Sequence, residues 1–269
     1  MTVFLNINRA ALNLARIALL GTVVLIASTV NTESAEQVSK RPNLVLCMAD
    51  DLGWGDTKKD LAPPQNQTES TESTTHKNTR LFLLSGQSNM ANMDPQVSFT
   101  PTLRDAFPND QLIVVKVAYG GRPIARWVPR GKIYKELIEK AKRAVHEKDV
   151  TTITFVWMQG ERDHQEDETT LTYKENLETL YRQLTEDFDR SDIHFVIGRL
   201  SDARLGTPNW DKIRSIQVEV AQSLPFADWI DTDDLNGPTN GVHCPPEGYK
   251  QMGQRFAQKA IDLIKKPPM

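Results

Sequence analysis

The sequence has little charge bias, few histidines and almost no cysteine. Its 269 residues carry a formal net charge of −3, so there is no basic surplus to attract nucleic acid or an acidic membrane surface. Two cysteines, Cys47 and Cys244, allow at most one disulfide. Cys47 lies in a segment set apart from the main domain, so pairing is not expected even in an oxidising compartment. There are five histidines, and most are poor candidates for a catalytic base. His76 falls in a polar linker, His146 and His164 in charged stretches, and His194 opens a strand. His243 alone combines a turn, a nearby glycine and a following helical pattern.

Long apolar runs are equally scarce. The run at residues 17–30 follows Arg9 and Arg16 and is too short to span a bilayer comfortably. Residues 1–35 therefore read as an export signal, which would make the protein secreted or periplasmic. Glu33 stands where a cleavage site prefers a small residue; an uncleaved segment would instead anchor the chain at the cell surface. Residues 57–79 nearly lack large apolar side chains. They cannot offset their ordering entropy by burial and read as a disordered linker. The chain thus divides into a signal or anchor at 1–35, a remnant and linker at 36–79, and a domain at 80–269, which is long enough for one buried core.

The domain alternates strand and helix patterns. Apolar, often β-branched runs at 81–84, 112–118, 153–158, 193–197 and 227–230 read as strands. Helical spacing appears at 133–145, 171–188, 210–224 and 247–264. That alternation implies right-handed crossovers. The expected fold is a three-layer α/β/α domain of flavodoxin-like type around a central five-stranded parallel sheet.

Residues 81–92, LFLLSGQSNMAN, organise the reading. A short apolar strand gives way to Ser85-Gly86-Gln87-Ser88-Asn89. Open α/β folds bind ligands at the carboxyl ends of their strands. Gly86, without a Cβ, permits a sharp turn that would expose the Ser88 hydroxyl. Such a hydroxyl is a weak nucleophile until a base lies within hydrogen-bond reach, and His243 is the candidate.

Gly86-Gln87-Ser88-Asn89-Met90 resembles the first block of the SGNH hydrolases, in the branch of sialate O-acetylesterases and acetyl-xylan esterases. Three further segments resemble the later blocks in order: 119–127 (YGGRPIARW), 157–163 (WMQGERD) and 240–243 (NGVH). The resemblance implies a metal-free, cofactor-free serine esterase that acts on acetylated carbohydrate. It assigns Ser88 as nucleophile and His243 as base. It also assigns the backbone N–H of Ser88, the backbone N–H of Gly121 and the Gln159 side chain as the oxyanion hole. Glu161 and Asp163 would tie down the third block or stand as solvated charges. Arg122, Arg126 and Trp127 could line a substrate pocket, since an indole face suits a sugar ring and arginine suits an anionic group.

The chain departs from the branch at position 240, where Asn240 replaces the usual aspartate three residues before the histidine. In serine proteases, the same change at the acid that orients the histidine costs about 10⁴ in turnover. Three readings stay open. A Ser–His dyad could use a backbone carbonyl or the Asn240 oxygen to hold His243. Asp231, Asp233 or Asp234 could substitute. Or the domain could be a weakened, carbohydrate-binding relative.

A second resemblance covers residues 41–56, which look like the opening of a sulfatase, including Asp50-Asp51. The motif that sulfatases need around their cysteine is missing at both Cys47 and Cys244. The segment reads as a remnant.

Overall fold

The computed structural model describes residues 78–266 and, as backbone only, 44–49. The expected signal at 1–35, most of the sulfatase-like segment and the expected linker at 57–79 as far as residue 77 lie outside the described residues; the linker's last residue, Thr79, instead opens the first strand of the domain. The described residues all belong to one compact unit, Pro42–Met269.

Six strands form one parallel sheet: β1 (Leu44–Ala49), β2 (Thr79–Gly86), β3 (Gln111–Ala118), β4 (Thr152–Met158), β5 (His194–Gly198) and β6 (Ala227–Ile230). The order is β1-β3-β2-β4-β5-β6. The five predicted strands make the central sheet. β1, drawn from the sulfatase-like segment, adds to its edge beside β3, with Leu44 opposite Leu112. β2 to β4 read as near-continuous apolar runs because both of their faces are covered.

Among the described residues six α-helices surround the sheet. They are α1 (Ser88–Asn92), α2 (Phe99–Ala106), α3 (Lys132–Ala144), α4 (Asp167–Phe188), α5 (Pro208–Ser223) and α6 (Pro246–Lys265). α2 packs on α6, and α4 packs on α5. α5 and α6 both reach β5 and β6. α5 and α6 each begin with proline, whose fixed φ suits the first helical turn and whose missing N–H costs nothing there.

The core is dense in aromatics. Trp127 and Trp157 meet edge to face at 5.1 Å, and Phe155 stacks on Phe195 at 5.3 Å. Pairs at these separations add to what their buried area alone contributes.

Chain order fixes where a ligand can bind. The chain leaves β2 for β3 on one side and returns to β4 on the other, so the strand order reverses at β2. A crevice opens outside the carboxyl ends of the strands at such a reversal. Ser88 follows β2 there, and Gln159 follows β4.

Candidate active site

Gly86 ends β2 with φ +150°, and a Cβ at this position would lie 1.9 Å from the carbonyl oxygen of Met158. Only glycine fits so close to the neighbouring strand. The chain turns there, the Gln87 N–H donates to Met158 O at 2.9 Å, and Ser88 opens α1. Lys116, buried on β3, reaches over the other end of α1. Its Nζ donates to Ala91 O at 2.7 Å and Met93 O at 2.9 Å. A cation there satisfies helix-terminal carbonyls that otherwise have no partner.

His243 precedes Cys244, Pro245 and the proline-started α6. Its Nε2 lies 2.9 Å from Ser88 Oγ, across 155 residues of sequence. With the imidazole proton on Nδ1, Nε2 can accept the serine proton as the hydroxyl attacks an ester carbon. His243 is exposed and Ser88 partly so, which leaves the pair open to a substrate.

The glycine loop lies alongside. A Cβ on Gly120 would sit 3.9 Å from Ser88 Cβ, and Gly121 has φ +64° with open space around it. Neither the Ser88 nor the Gly121 N–H donates to a backbone carbonyl among the described residues. Two such donors near a nucleophile can stabilise a developing oxyanion.

The other residues singled out from sequence take different places. Gln159 is fully buried. Its Nε2 faces Gln87 Oε1 at 3.2 Å, Arg122 O at 3.1 Å and the Asp163 carboxylate. Two amide hydrogens are thus shared among three acceptors, so Gln159 braces the loops and presents no spare donor to an oxyanion. Trp127 is also fully buried; its Nε1 donates to Ser85 Oγ at 2.9 Å, and Ser85 donates on to Val117 O at 2.6 Å. It belongs to the core and offers no face to a sugar, because its ring packs against Trp157. Arg122, next to Gly121, and Arg126 remain exposed.

Glu161 and Asp163 are not solvated charges. Glu161 is 4% exposed and accepts from Asn89 Nδ2 at 2.7 Å. Burial pushes its carboxyl up to about 7. Asp163 accepts the Ile124 N–H at 3.1 Å and the Gln159 amide. Burial also dominates there and raises the group to about 6. Asp163 thereby ties the glycine loop to the loop after β4. His164 is buried too, with Nδ1 against Glu161 O and Nε2 3.2 Å from Arg204.

At Asn240, φ is +44° and Oδ1 accepts from Asn236 Nδ2 at 3.2 Å. The alternative carboxylates are engaged elsewhere. Asp231 and Asp233 bind Arg199, Asp233 also binds Arg214, and Asp234 binds Arg255 in a paired contact at 2.6 Å. Among the described residues no carboxylate bonds to His243. Cys244 is free and buried, its Sγ donating to Asn236 Oδ1 at 3.5 Å, and burial pushes its thiol up to about 12.

Sequence reasoning does not find Asn89 or the bracing role of Gln87. Gln87 Oε1 accepts from Gln159 and from the Arg162 N–H at 3.1 Å. Both residues flank the candidate nucleophile inside a block already singled out, so adjacency is the available signal.

Among solved structures, three similar chains share the fold. One is a protein from Arabidopsis thaliana, 18% identical, covering 68% of this chain and 97% of its own, with a TM-score of 0.57. Another is a carbohydrate acetylesterase from Xanthomonas citri, 18% identical over 68% of this chain, with a TM-score of 0.53. This chain spans only 56% of that protein's length. The third, NanS, is 13% identical, covers 70% of this chain and 97% of its own, and has a TM-score of 0.55. No curated protein matches the chain. The family model for carbohydrate esterases of the sialic acid-specific acetylesterase type matches residues 91–262, beginning just after Ser88. The chain belongs to this family of carbohydrate esterases, and its enzyme class is that of the acetylesterases.

Proposed function

We propose that this chain is an exported serine esterase that removes O-acetyl groups from carbohydrate through Ser88 and His243. The observation that carries the reading is the 2.9 Å contact between Ser88 Oγ and His243 Nε2 at the strand-order reversal. His243 takes the serine proton as Oγ attacks the acetyl carbonyl. The oxyanion then lies toward the N–H groups of Ser88 and Gly121. Collapse of the intermediate breaks the ester bond, and the protonated His243 gives its proton to the departing sugar oxygen, which leaves as a hydroxyl. Water repeats the sequence to release acetate.

The acetylated carbohydrate is proposed from the family and from the activity of the Xanthomonas protein as a carbohydrate acetylesterase. Export, with a secreted or periplasmic product, is proposed from the apolar run at 17–30. The mass of the mature protein, recovered outside the cytoplasm, tests it. A product that retains residues 1–35 in the membrane fraction would point to an anchor. The proposed partition places the esterase domain at 80–269 behind its linker, with β1 added to the sheet from ahead of that linker.

Hydrolysis of p-nitrophenyl acetate by wild type, Ser88→Ala and His243→Ala tests the chemistry. Wild-type turnover should fall at least about 1000-fold in either variant. Wild type no faster than Ser88→Ala would favour the other reading, a carbohydrate-binding protein. One observation speaks for that reading: among the described residues, no carboxylate orients His243.

A further inference from the structure

The branch's orienting carboxylate is absent at 240, yet the Ser88–His243 contact has hydrogen-bond length. Something else must hold the histidine loop in register. Asn89 is 2% exposed and sits immediately after Ser88 in α1. Its Nδ2 donates to Val242 O, the carbonyl just before His243, at 2.9 Å. The same amide donates to Glu161 Oε1 at 2.7 Å. Its Oδ1 accepts from Tyr249 OH, in the first turn of α6 beyond His243, at 3.1 Å. One side chain thus grips the backbone before His243 and the helix after it, from the residue next to Ser88.

Glu161 sets how that amide lies. When ionised, Glu161 can only accept, and it then decides which end of the Asn89 amide faces it. With Nδ2 turned toward Glu161, the second Nδ2 hydrogen falls on Val242 O and Oδ1 is left for Tyr249. Glu161 is itself held by its position: its second oxygen is buried without a partner, and its carbonyl oxygen meets His164 Nδ1.

We propose that Asn89, oriented by Glu161, is the positioning residue that keeps the His243 loop on Ser88, where no carboxylate at 240 does so. The inference rests on the Ser–His reading of the site. It assigns Asn89 no contact with substrate. Its effect is on geometry, where a displacement of about 1 Å can cost about 100-fold in rate.

The test uses the full chain with Asn89→Ala, Asn89→Asp, Glu161→Ala and the double variant Asn89→Ala/Glu161→Ala. Ser88→Ala and His243→Ala serve as controls. For each, kcat and KM on p-nitrophenyl acetate are measured beside a thermal melt. Asn89→Ala should lower kcat about 100-fold and change KM less than about threefold. Asn89→Asp matches asparagine in size but has at most one proton for two acceptors, so kcat should fall at least about tenfold in a folded protein. Because the two residues act as one unit, the double variant should be no worse than Asn89→Ala alone. Wild-type kcat in Asn89→Asp would overturn the proposal, as would losses that multiply in the double variant. If Asn89→Ala does not fold, Asn89→Asp decides. If Ser88→Ala and His243→Ala keep wild-type activity, the underlying reading falls instead.

Discussion

Asn236 donates to Asn240 Oδ1 at 3.2 Å, so the residue three before His243 spends its acceptor on its own loop. Asn240 also sits at φ +44°, a conformation asparagine and aspartate tolerate better than most residues. Aspartate would fit the same backbone and keep the same Asn236 partner. Asn240→Asp should therefore raise kcat on p-nitrophenyl acetate by no more than about tenfold, far short of the roughly 10⁴ that separates the two residues where the acid contacts the histidine directly. A gain of about 1000-fold or more would show that the loop swings to orient His243 once a charge is supplied.

Trp127 makes a different prediction from the one its sequence context suggests. Its indole is enclosed by Trp157 and anchored to Ser85 Oγ at 2.9 Å. Trp127→Phe removes that donor and leaves a void, which should destabilise the domain by about 2–4 kcal/mol. KM for acetylated sugars should stay within about threefold. Urea unfolding beside steady-state kinetics reads both, and a raised KM with unchanged stability would return the ring to the substrate site.

The fold is more legible in the sequence than the site. The five central strands and four long helices follow from short apolar runs and helical spacing, and their boundaries lie close to those expected. α1 and α2 escape the sequence reading for local reasons. α1 is a single turn, stabilised by its neighbour Lys116 and not by its own periodicity. α2 carries Pro101 near its start, which reads as a loop from sequence. Within the site, Ser88 and His243 stand out because histidine is rare and the blocks recur in order. The bonds of Asn89 to Glu161 and Val242 span 72 and 153 residues, and no local pattern encodes such partners. Glu161 and Asp163 look like solvated charges because their neighbours are charged; only the fold shows them desolvated.

That desolvation predicts how stability varies with pH. Burial lifts Glu161 from its ordinary 4.5 to about 7, and Asp163 from 3.8 to about 6. At pH values well below the ordinary carboxylate range both groups are protonated folded and unfolded, and the native state gains fully. As pH rises, the unfolded chain releases these protons first, so their contribution is lost progressively up to about pH 7. Glu161 alone accounts for about 3 kcal/mol across that window. Glu161→Gln should flatten the slope of stability against pH between about 5 and 7.5. Denaturant midpoints measured across that range provide the check. An unchanged slope would mean that Glu161 is ionised throughout.

Lys116 carries the last prediction. A lysine within an otherwise apolar strand, LIVVKVA, is costly to bury unless its ammonium is fully engaged. Here it caps the helix that Ser88 opens, through Ala91 O and Met93 O. Lys116→Met keeps the apolar stem but leaves both carbonyls without that donor in a buried place. Stability should fall by about 2–4 kcal/mol. Because the loosened turn begins with the nucleophile, kcat should also fall, by about tenfold or more, while the variant remains folded at low temperature. Chemical denaturation and p-nitrophenyl acetate kinetics separate the two effects. Lost stability with intact kcat would mean that the residues after α1 relax without moving Ser88. A matched loss in both would show that the ammonium on β3 holds the nucleophile in place through the far end of its helix.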